Sequence, residues 1–344
     1  MKIERDYNLS QLNTFGISAK AMFFVEIHSE QDLKELFNTA EFKNNPKLFL
    51  GGGSNVLFIQ DFDGLVILNK LKGIEIVEEN SEKVLVRCMG GEIWHDLVIF
   101  AVERGYWGIE NLALIPGTVG AAPMQNIGAY GVELASVLEN VEAYEIETGM
   151  KKVFTAEECQ LGYRDSVFKN SLKGKYFIFA ITLKLNKAGQ PNISYKTLQE
   201  YLENNKIEVK TSKHISDAVS AIRKSKLPDP INIPNAGSFF KNVFVSEKKF
   251  NELIKLYPDM PHFFEGGVMK IPAAWLIEQC GPEDGVSWKG YRIGNVGVHE
   301  RQALVLVNYG GASGTEVQNL AERIIADVKE KFGLRLVPEV NFIP

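Results

Sequence analysis

Three consecutive glycines followed by Ser54 and Asn55 form the first segment that could do chemistry. This GGGSN segment, at 51–55, comes directly after the short apolar run Lys47–Leu50, which has the pattern of a strand. Consecutive glycines let several main-chain N–H groups point into one concavity, which suits phosphate oxygens. The segment is neither GxGxxG nor Walker A, so a Rossmann site and a P-loop NTPase are not supported. Taken alone, it also fits an ordinary tight turn.

A second segment, CQLGYRDSVFK at 159–169, brings an arginine, an aspartate and two aromatic residues together around Gly162. Neighbouring arginine and aspartate usually form a solvated ion pair that contributes little stability. The glycine and the aromatic residues favour a loop held against a core, from which Arg164 could grip a carboxylate through its paired donors. Both interpretations stay open on this segment alone.

Two more candidates lie later in the chain. In NAGSFFKN (235–242), Gly237 allows an unusual backbone conformation that would present Ser238 beside a polar Asn and Lys. The segment is not GxSxG, so Ser238 fits a proton donor or hydrogen-bonding group better than a nucleophile, and a surface serine fits equally well. Glu339 stands in the mostly apolar LRLVPEVNF. Burial would raise its pKa and make it a candidate acid, whereas an edge position would leave it exposed.

The central stretch, Asn111–Gly131, holds four glycines and two prolines and has no basic residue. Its apolar residues follow neither a helical nor a strand period. Small residues let the backbone approach something flat or bulky, because a Cβ would obstruct that approach. A long irregular loop is the alternative on these residues alone.

The elements around these segments predict a mixed α+β protein. Strands are expected at Phe23–Ile27, Lys47–Leu50, Gly64–Asn69, Lys83–Met89, Val137–Glu147, Tyr176–Leu185, Gln302–Asn308 and Leu334–Phe342, the fifth and sixth antiparallel. Helices are expected from Ser29 and at Glu92–Arg104, Ser216–Lys224, Ser246–Tyr257 and Ile271–Cys280, with a last one running from a capping box at Ser313 to Gly333. The proline-rich LPDPINIPNAG (227–237) predicts the main domain break near 225–235.

Composition sets outer limits on function. The chain has 344 residues, 45% of them hydrophobic and 24% charged, with a net charge of −5. This net negative charge argues against nucleic-acid binding as the main function of the chain. No run approaches the roughly 18 apolar residues of a membrane span, and the N-terminus has no signal-like apolar core. Three scattered cysteines fit a reducing cytoplasm, and five histidines without a ligand cluster argue against a metal site.

Taken together and in order, the segments resemble the UDP-N-acetylenolpyruvoylglucosamine reductases (UDP-N-acetylmuramate dehydrogenases), the MurB family. Any one segment is weak, but seven in register over nearly the whole chain are highly specific. They are NTFG at 13–16, GGGSNVL at 51–57, IPGTVGAAPMQNIGAYG at 115–131, GYRDSVFK at 162–169, KLPDP at 226–230, NAGSFFKN at 235–242 and PEV at 338–340. ISYKTLQEYL at 193–202 resembles the tyrosine-bearing loop of the longer family branch, which closes over substrate. Asn341 departs from the basic residue of relatives.

The resemblance implies an α+β flavoenzyme that binds FAD non-covalently. Its FAD-binding region would be of the vanillyl-alcohol-oxidase (PCMH) type, with subdomains at 1–70 and 71–225. A substrate-binding α+β domain would follow at 226–334, and a strand at 335–344 would return near the flavin. The family further suggests a monomer with no nucleic-acid or membrane partner.

The resemblance also implies site residues for the cofactor. The GGGSN loop would hold the FAD phosphates, and the 115–131 stretch would line the flavin and its ribityl chain. The implied cofactor-binding residues are Gly51, Gly52, Gly53, Ser54, Asn55, Ile115, Pro116, Gly117, Thr118, Gly120, Ala121, Gln125, Asn126, Gly128 and Ala129.

The implied reaction is the NADPH-dependent reduction of the enolpyruvyl ether of UDP-N-acetyl-enolpyruvoylglucosamine to UDP-N-acetylmuramate, a peptidoglycan precursor. Hydride from the reduced flavin adds to the vinyl methylene carbon and leaves negative charge on the neighbouring carbon and its carboxylate. Arg164 fits the cation that holds this carboxylate, Ser238 the proton donor, and Glu339 a second hydrogen-bonding group. The implied substrate-binding residues are Lys226, Asn242, Tyr195 and Gln302 at the UDP diphosphate, with Tyr130 and Tyr163 as further contacts.

Two alternatives remain at this point. A flavin oxidase of the same superfamily would use oxygen instead of NADPH, and it would lack the KLPDP and NAGSFFKN segments. A UDP-sugar or flavin-binding protein without catalysis would have replaced Arg164, Ser238 or Glu339. Both segments and all three residues are present.

Overall fold

The computed structural model describes residues 1–189 and 191–344. The chain divides into two compact units, each built from separate parts of the sequence. The first unit comprises Met1–Tyr7, Ala21–Gly53 and Phe62–Ser225, and the second comprises Asn8–Lys20, Ser54–Asp61 and Lys226–Pro344. The GGGSN segment therefore passes from one unit to the other after Gly53. A finer division of the first unit at residue 70 stays a prediction.

The first unit begins with a four-stranded sheet. Its strand order is Glu4–Asn8, Lys20–Ile27, Phe62–Asn69, Lys47–Leu50. Phe62–Asn69 runs parallel to both neighbours, and its last six residues are buried, as expected of a central parallel strand. Helices Glu30–Leu36 and Ala40–Asn44 lie between these strands in the chain. The predicted helix start at Ser29 is confirmed, because its side chain and Asp32 form a reciprocal capping box.

A second sheet of five strands carries the larger core of the first unit. Its order is Lys151–Thr155, Leu138–Glu145, Tyr176–Asn186, Lys83–Met89, Ile74–Glu79, all antiparallel. The predicted antiparallel pairing of the second and third of these strands is thus confirmed. Helices Trp94–Glu103, Lys196–Asn204 and Ser212–Lys226 contribute apolar side chains to the same buried cluster.

The central stretch is ordered, with little regular structure. It begins within the 3₁₀ turn Glu110–Leu112 and contains the 3₁₀ turn Val119–Met124 and the first strand of a small hairpin, Gly128–Ala129. The second strand, Val132–Glu133, runs into the 3₁₀ turn Leu134–Ser136. The prediction that this stretch follows no helical or strand period is confirmed.

The second unit holds two three-stranded antiparallel sheets and one two-stranded parallel sheet. The first sheet has the order Val243–Val245, Val268–Ile271, Phe263–Glu265, and the second Arg292–Ile293, Val296–Val298, Leu306–Asn308. Asn341–Ile343 pairs in parallel with Val56–Phe58. Its helices are the 3₁₀ turn Ser10–Leu12 and Glu247–Leu256, Ala273–Glu278 and Gly314–Phe332. The last begins at the predicted Ser313 capping box and ends at Gly333 in the left-handed conformation.

Three predicted boundaries in the second unit are wrong. The last strand begins only at Asn341, because Pro338 has no N–H and forms only an isolated bridge with Phe240. The strand expected from Gln302 begins only at Leu306, since Gln302 closes a turn onto Val305. The helix expected from Ile271 begins after Pro272. The α+β class itself is confirmed.

Two observations concern partners. Among the described residues, no helix is both long and apolar enough to cross a membrane. In the same part of the chain, no group of three or more His, Cys, Asp or Glu side chains is placed to hold a metal ion.

Candidate active site

The triple glycine packs main chain to main chain against the central stretch. A Cβ on Gly51 would lie 2.2 Å from Thr118 Oγ1, and a Cβ on Gly52 would lie 2.9 Å from the Cα of Gly117. Gly53 follows in the left-handed region with φ of 62°. Gly51 thus lies against the Thr118 side chain and Gly52 against the Gly117 main chain, at distances that only glycine allows. Consecutive glycines also leave main-chain donors uncovered by side chains, as a phosphate site requires. This cradle fits the phosphate-binding role expected for the segment.

The 117–120 segment is fixed by the turn that starts the helix Trp94–Glu103. The N–H of Trp94 donates to the Gly117 carbonyl at 3.0 Å, and the N–H of Val119 donates to the Glu92 carbonyl at 2.8 Å. The N–H of Gly120 donates to the Gly90 carbonyl at 2.8 Å. Because these three bonds join residues 117–120 to residues 90–94, the wall of the cradle is held by the turn that leads into that helix.

Tyr130 stands at the tip of the small hairpin. Ala129 pairs with Val132 across it, which leaves Tyr130 and Gly131 as a two-residue turn. Both have positive φ, 50° and 82°, as a type I′ turn requires. Asn-Gly is the usual choice there, and a bulky tyrosine in the first position is strained. The Tyr130 ring meets Tyr195 edge to face at 5.2 Å, and burial raises the pKa of Tyr130.

A buried amide links Tyr130 to the segment that leads to Tyr195. Asn111, which is fully buried, donates from Nδ2 to the Tyr130 carbonyl at 2.9 Å and to the Asn192 carbonyl at 2.8 Å. Asn192 in turn donates to the Gly131 carbonyl at 3.0 Å. The tyrosine-bearing segment before helix Lys196–Asn204 is thereby tied to the hairpin. No sequence pattern indicates this link, since an asparagine at the start of a loop is ordinary.

Arg164 lies in a tight turn that is held against the same hairpin. Paired hydrogen bonds of 3.1 and 3.2 Å between Gly162 and Asp165 close the turn, and Arg164 has φ of 51°. Its Nη2 donates to the Gly128 carbonyl at 2.8 Å. Its guanidinium also lies 5.6 Å from the centre of the Tyr163 ring. The prediction of a loop held against a core is confirmed by these contacts.

The side chain of Asn126 connects this turn to the hairpin. It is fully buried, donates to Glu133 Oε2 at 2.8 Å and to the Gly162 carbonyl at 3.0 Å, and accepts from the Ala135 N–H at 2.9 Å. Gln125 accepts from Lys169 Nζ at 3.3 Å. These side chains serve the loop framework, and their contact with a cofactor stays a prediction.

Strained backbone is concentrated in these loops. Among the described residues, seven that are not glycine have positive φ: Asp6, Leu114, Asn126, Tyr130, Gln160, Arg164 and Lys206. Three of the seven lie in the central stretch, and a fourth is Arg164. Strain of this kind persists only where the surroundings enforce it, and it collects at binding and catalytic sites.

In the second unit, Ser238 is exposed on an anchored extended segment. The Asn235 side chain accepts from the N–H of Gly237 at 2.8 Å, and Gly237 has φ of 68°, as its predicted special conformation requires. Phe239 is fully buried, and its N–H donates to the Leu304 carbonyl at 2.7 Å. The serine hydroxyl is therefore presented to solvent from a fixed backbone.

Glu339 lies on the segment next to Ser238. Its N–H donates to the Phe239 carbonyl at 2.8 Å, and its own carbonyl accepts from Asn55 Nδ2 at 3.3 Å. The side chain is half-buried. Asn341 donates from both its N–H and its Nδ2 to the Asn55 carbonyl at 3.0 Å. Asn341 thus holds Asn55 beside the segment that carries Glu339.

The remaining substrate-binding candidates have their own places in the second unit. Lys226 is exposed at the end of helix Ser212–Lys226. Asn242 accepts from the N–H of Ala273, the first residue of a short helix, at 3.0 Å. Gln302 accepts from the N–H of Leu304 through Oε1 at 3.3 Å. Asn242 and Gln302 therefore have structural contacts beside any ligand contact.

Comparison with known proteins decides the family. A family profile described as "UDP-N-acetylenolpyruvoylglucosamine reductase, C-terminal domain" matches residues 229–343, and one described as "FAD binding domain" matches 21–156. The chain is 50% identical over 344 residues to UDP-N-acetylenolpyruvoylglucosamine reductase of Amoebophilus asiaticus and 45% identical over 346 to that of Flavobacterium johnsoniae, covering all of each chain. The chain belongs to the UDP-N-acetylenolpyruvoylglucosamine reductase family. The family resemblance seen in the sequence is confirmed.

Membership of the reductase family fixes the cofactor and the class of reaction. The chain is an FAD-dependent reductase of peptidoglycan precursor synthesis, which decides against a flavin oxidase. A solved reductase from Thermus caldophilus matches over 100% of both chains, with a TM-score of 0.66 and 24% identity. That likeness bears on the fold alone, and it agrees with the expected FAD-binding region followed by a C-terminal domain.

Proposed function

We propose that the chain reduces the enolpyruvyl ether of UDP-N-acetyl-enolpyruvoylglucosamine to the lactyl ether of UDP-N-acetylmuramate, with NADP as the acceptor in the reverse direction. Support comes from relatives of this name that match over their whole length. Bound FAD, once reduced by NADPH, supplies the hydride for the vinyl methylene carbon. The protein itself binds the substrate, holds its carboxylate and donates the proton.

Arg164 has the task of holding the substrate carboxylate. Hydride addition leaves negative charge on the neighbouring carbon and on that carboxylate, so a fixed cation lowers the barrier. The guanidinium is anchored through Nη2 to Gly128, and its turn is closed by Gly162 and Asp165. A cation positioned in advance needs no rearrangement when the charge develops.

Ser238 has the task of giving a proton to that carbon, and Glu339 that of hydrogen-bonding the carboxylate. The observation that carries this assignment is the bond from the Glu339 N–H to the Phe239 carbonyl at 2.8 Å. It puts the two side chains on neighbouring anchored segments, although the residues are about a hundred positions apart in sequence. An alcohol is a weak acid, so the hydroxyl must be acidified by a cation or amide when substrate is bound.

The other candidates hold the substrate and FAD. Lys226, Asn242, Tyr195 and Gln302 would meet the diphosphate, with Tyr130 and Tyr163 as further contacts. The main chain of 51–55 would donate to the FAD phosphates, as the glycine cradle allows. Residues of the 115–131 stretch would line the flavin. The chain would act as a cytoplasmic monomer, and light scattering of the purified protein can check the monomeric state.

Stopped-flow flavin absorbance tests the proposal, because it separates the two halves of the reaction. NADPH should bleach the flavin of the purified protein, and UDP-N-acetyl-enolpyruvoylglucosamine should then restore its colour without oxygen. UDP-N-acetylglucosamine, which lacks the enolpyruvyl group, serves as the control and should leave the flavin reduced. Bleaching without recovery would leave a flavin-binding protein that lacks the proposed activity.

A further inference from the structure

Leu114 holds an unexpected conformation immediately before the flavin-lining segment. Its φ is 58°, in the left-handed region. Glycine enters this region freely, whereas a residue with a Cβ does so only when neighbours enforce it. Ile115 to Gly117 follow directly, so the conformation of Leu114 sets the direction in which that segment leaves the core.

Three side chains from two helices enforce this conformation. From the helix Trp94–Glu103, the indole N–H of Trp94 donates to the Leu112 carbonyl at 3.0 Å, and Nδ1 of His95 accepts from the Leu114 N–H at 3.0 Å. From the helix Ser212–Lys226, Nε of Arg223 donates to the Leu114 carbonyl at 3.2 Å. Both polar groups of the Leu114 main chain are thus held by side chains.

The bond to His95 depends on its protonation state. Nδ1 can accept only while it carries a lone pair, so the ring must be neutral with its proton on Nε2. Protonation would place a hydrogen on Nδ1 that faces the Leu114 N–H, so two donors would meet and the hydrogen bond would be lost. The surroundings favour the neutral ring: burial first, and the positive charges of Lys224 and Arg223, lower the pKa of His95 below its ordinary value of 6.5, against an opposing effect of Asp96.

We propose that His95 is a pH-dependent positioning residue for the flavin-lining segment. Neutral His95, together with Arg223, fixes Leu114 and thereby orients Ile115 to Gly117. Protonated His95 releases the Leu114 N–H and loosens that segment. The inference rests on the proposed assignment of Ile115 to Gly117 to the flavin, although FAD binding by the chain as a whole does not depend on it.

The test is the rate at which the holoenzyme loses FAD after dilution, followed by the rise in flavin fluorescence. Release by the wild-type protein should be constant above the ordinary histidine pKa of about 6.5 and should accelerate as pH falls below it. His95→Asn keeps an acceptor near the Nδ1 position but cannot titrate, so its release should be nearly independent of pH. His95→Leu should release FAD at a rate independent of pH, about five- to tenfold faster than the wild type above pH 6.5, the usual effect of one lost hydrogen bond, and the wild-type rate should approach it as pH falls.

His28→Asn is the matched control, because His28 is an exposed histidine of the first unit that contacts Glu26. It should keep the wild-type pH profile. An identical pH profile in the wild type and in His95→Asn would overturn the proposal, and it stays testable even if His95→Leu does not fold. Wild-type protein without flavin at pH 8 would instead contradict the proposed function, so the two failures are distinguishable.

Discussion

The guanidinium of Arg164 and the carbonyl of Gly128 are joined by a hydrogen bond of 2.8 Å across 36 positions of sequence. A Cβ on Gly128 would lie 3.2 Å from Arg164 Nη1, 3.1 Å from the Val132 carbonyl and 2.8 Å from Glu133 Cγ. Glycine at this position therefore lets the arginine lie close to the hairpin. The arginine proposed as the catalytic cation is thus positioned by the absence of a side chain at residue 128.

Gly128→Ala should displace Arg164 without removing its charge. A displacement of about 1 Å at a reacting centre can cost on the order of 100-fold in rate. We therefore expect flavin reoxidation by substrate to slow by about ten- to 100-fold, with flavin reduction by NADPH nearly unchanged. Stopped-flow absorbance measures both steps. Gly174→Ala, at a surface glycine with no atom within 4 Å of the added Cβ, controls for general destabilisation; equal losses in the two variants would refute the explanation.

Ser238→Ala should stop the second half of the reaction alone. Removing one group that acts in the transition state typically costs about 100- to 1,000-fold. Reduction of the flavin by NADPH should continue at close to the wild-type rate, while reoxidation by substrate nearly ceases. Ser81→Ala, at an exposed serine of the first unit, should change neither. Normal rates in both steps for Ser238→Ala would rule it out as the proton donor.

Lys226→Ala should weaken binding of the UDP-sugar. An exposed lysine contributes to a diphosphate site as a point charge, so the expected effect is a rise in KM for the substrate of about tenfold with a smaller change in kcat. Lys213→Ala is the control, because Lys213 lies on the same helix and pairs with Asp217. A defect confined to the reaction with NADPH would contradict the phosphate role.

Gly52→Ala should remove the flavin. The new Cβ would lie 2.9 Å from the Cα of Gly117, and backbone cannot move aside as a flexible side chain can. We expect the purified protein to be colourless or to contain well under half of the wild-type FAD. The absorbance ratio at about 450 and 280 nm gives the occupancy, again with Gly174→Ala beside it. A Gly52→Ala protein with full FAD content would show that FAD binding does not require the close contact between Gly52 and Gly117.

Glu110→Gln should flatten the dependence of stability on pH. Glu110 is buried and accepts from the Gly108 N–H at 2.6 Å, and burial raises the pKa of its carboxyl above 4.5. A raised pKa means that the folded state binds the proton more tightly than the unfolded state does. The contribution to stability is therefore fully present below about pH 4.5 and is lost as pH rises through the folded-state pKa. A tenfold difference in proton affinity between the two states corresponds to about 1.4 kcal/mol.

Urea midpoints at pH 5 and pH 8 measure this effect. From pH 5 to pH 8, the urea midpoint of the wild type should fall more than that of Glu110→Gln. Glu157→Gln, at an exposed glutamate, should follow the wild type at both. Parallel midpoints for the wild type and Glu110→Gln would show that the buried carboxyl does not titrate differently on folding.

Much of the secondary structure could be predicted because its signals are local. Ser29 and Ser313 mark the starts of their helices, because each is followed three residues later by an acidic residue that completes a capping box. Gly333 marks the end of the last helix, because glycine adopts the left-handed conformation with little strain. The starts of the strands near Pro338 and Gln302 could not be predicted as well from the sequence. Whether an extended residue belongs to a strand depends on a partner that lies elsewhere in the chain.

The candidate site shows the same division. The types of Arg164, Ser238 and Glu339 and the glycines at 51–53 could be identified from sequence, because each supplies chemistry that few residues offer. Asn111, His95 and Arg223 could not, since their importance lies in main-chain groups that they reach only after folding. A local sequence pattern contains no information about such distant partners.

The family, the cofactor and the residue types available for the reaction could all be identified from the amino-acid sequence, because seven characteristic segments occur in a fixed order. How these residues are held is visible only in the folded chain, where Gly128 lies against Arg164, Phe239 against Glu339, and Leu114 between two helices. The physical reason is that hydrogen bonds and close packing are short-ranged, so they depend on which distant segments folding brings within a few ångströms.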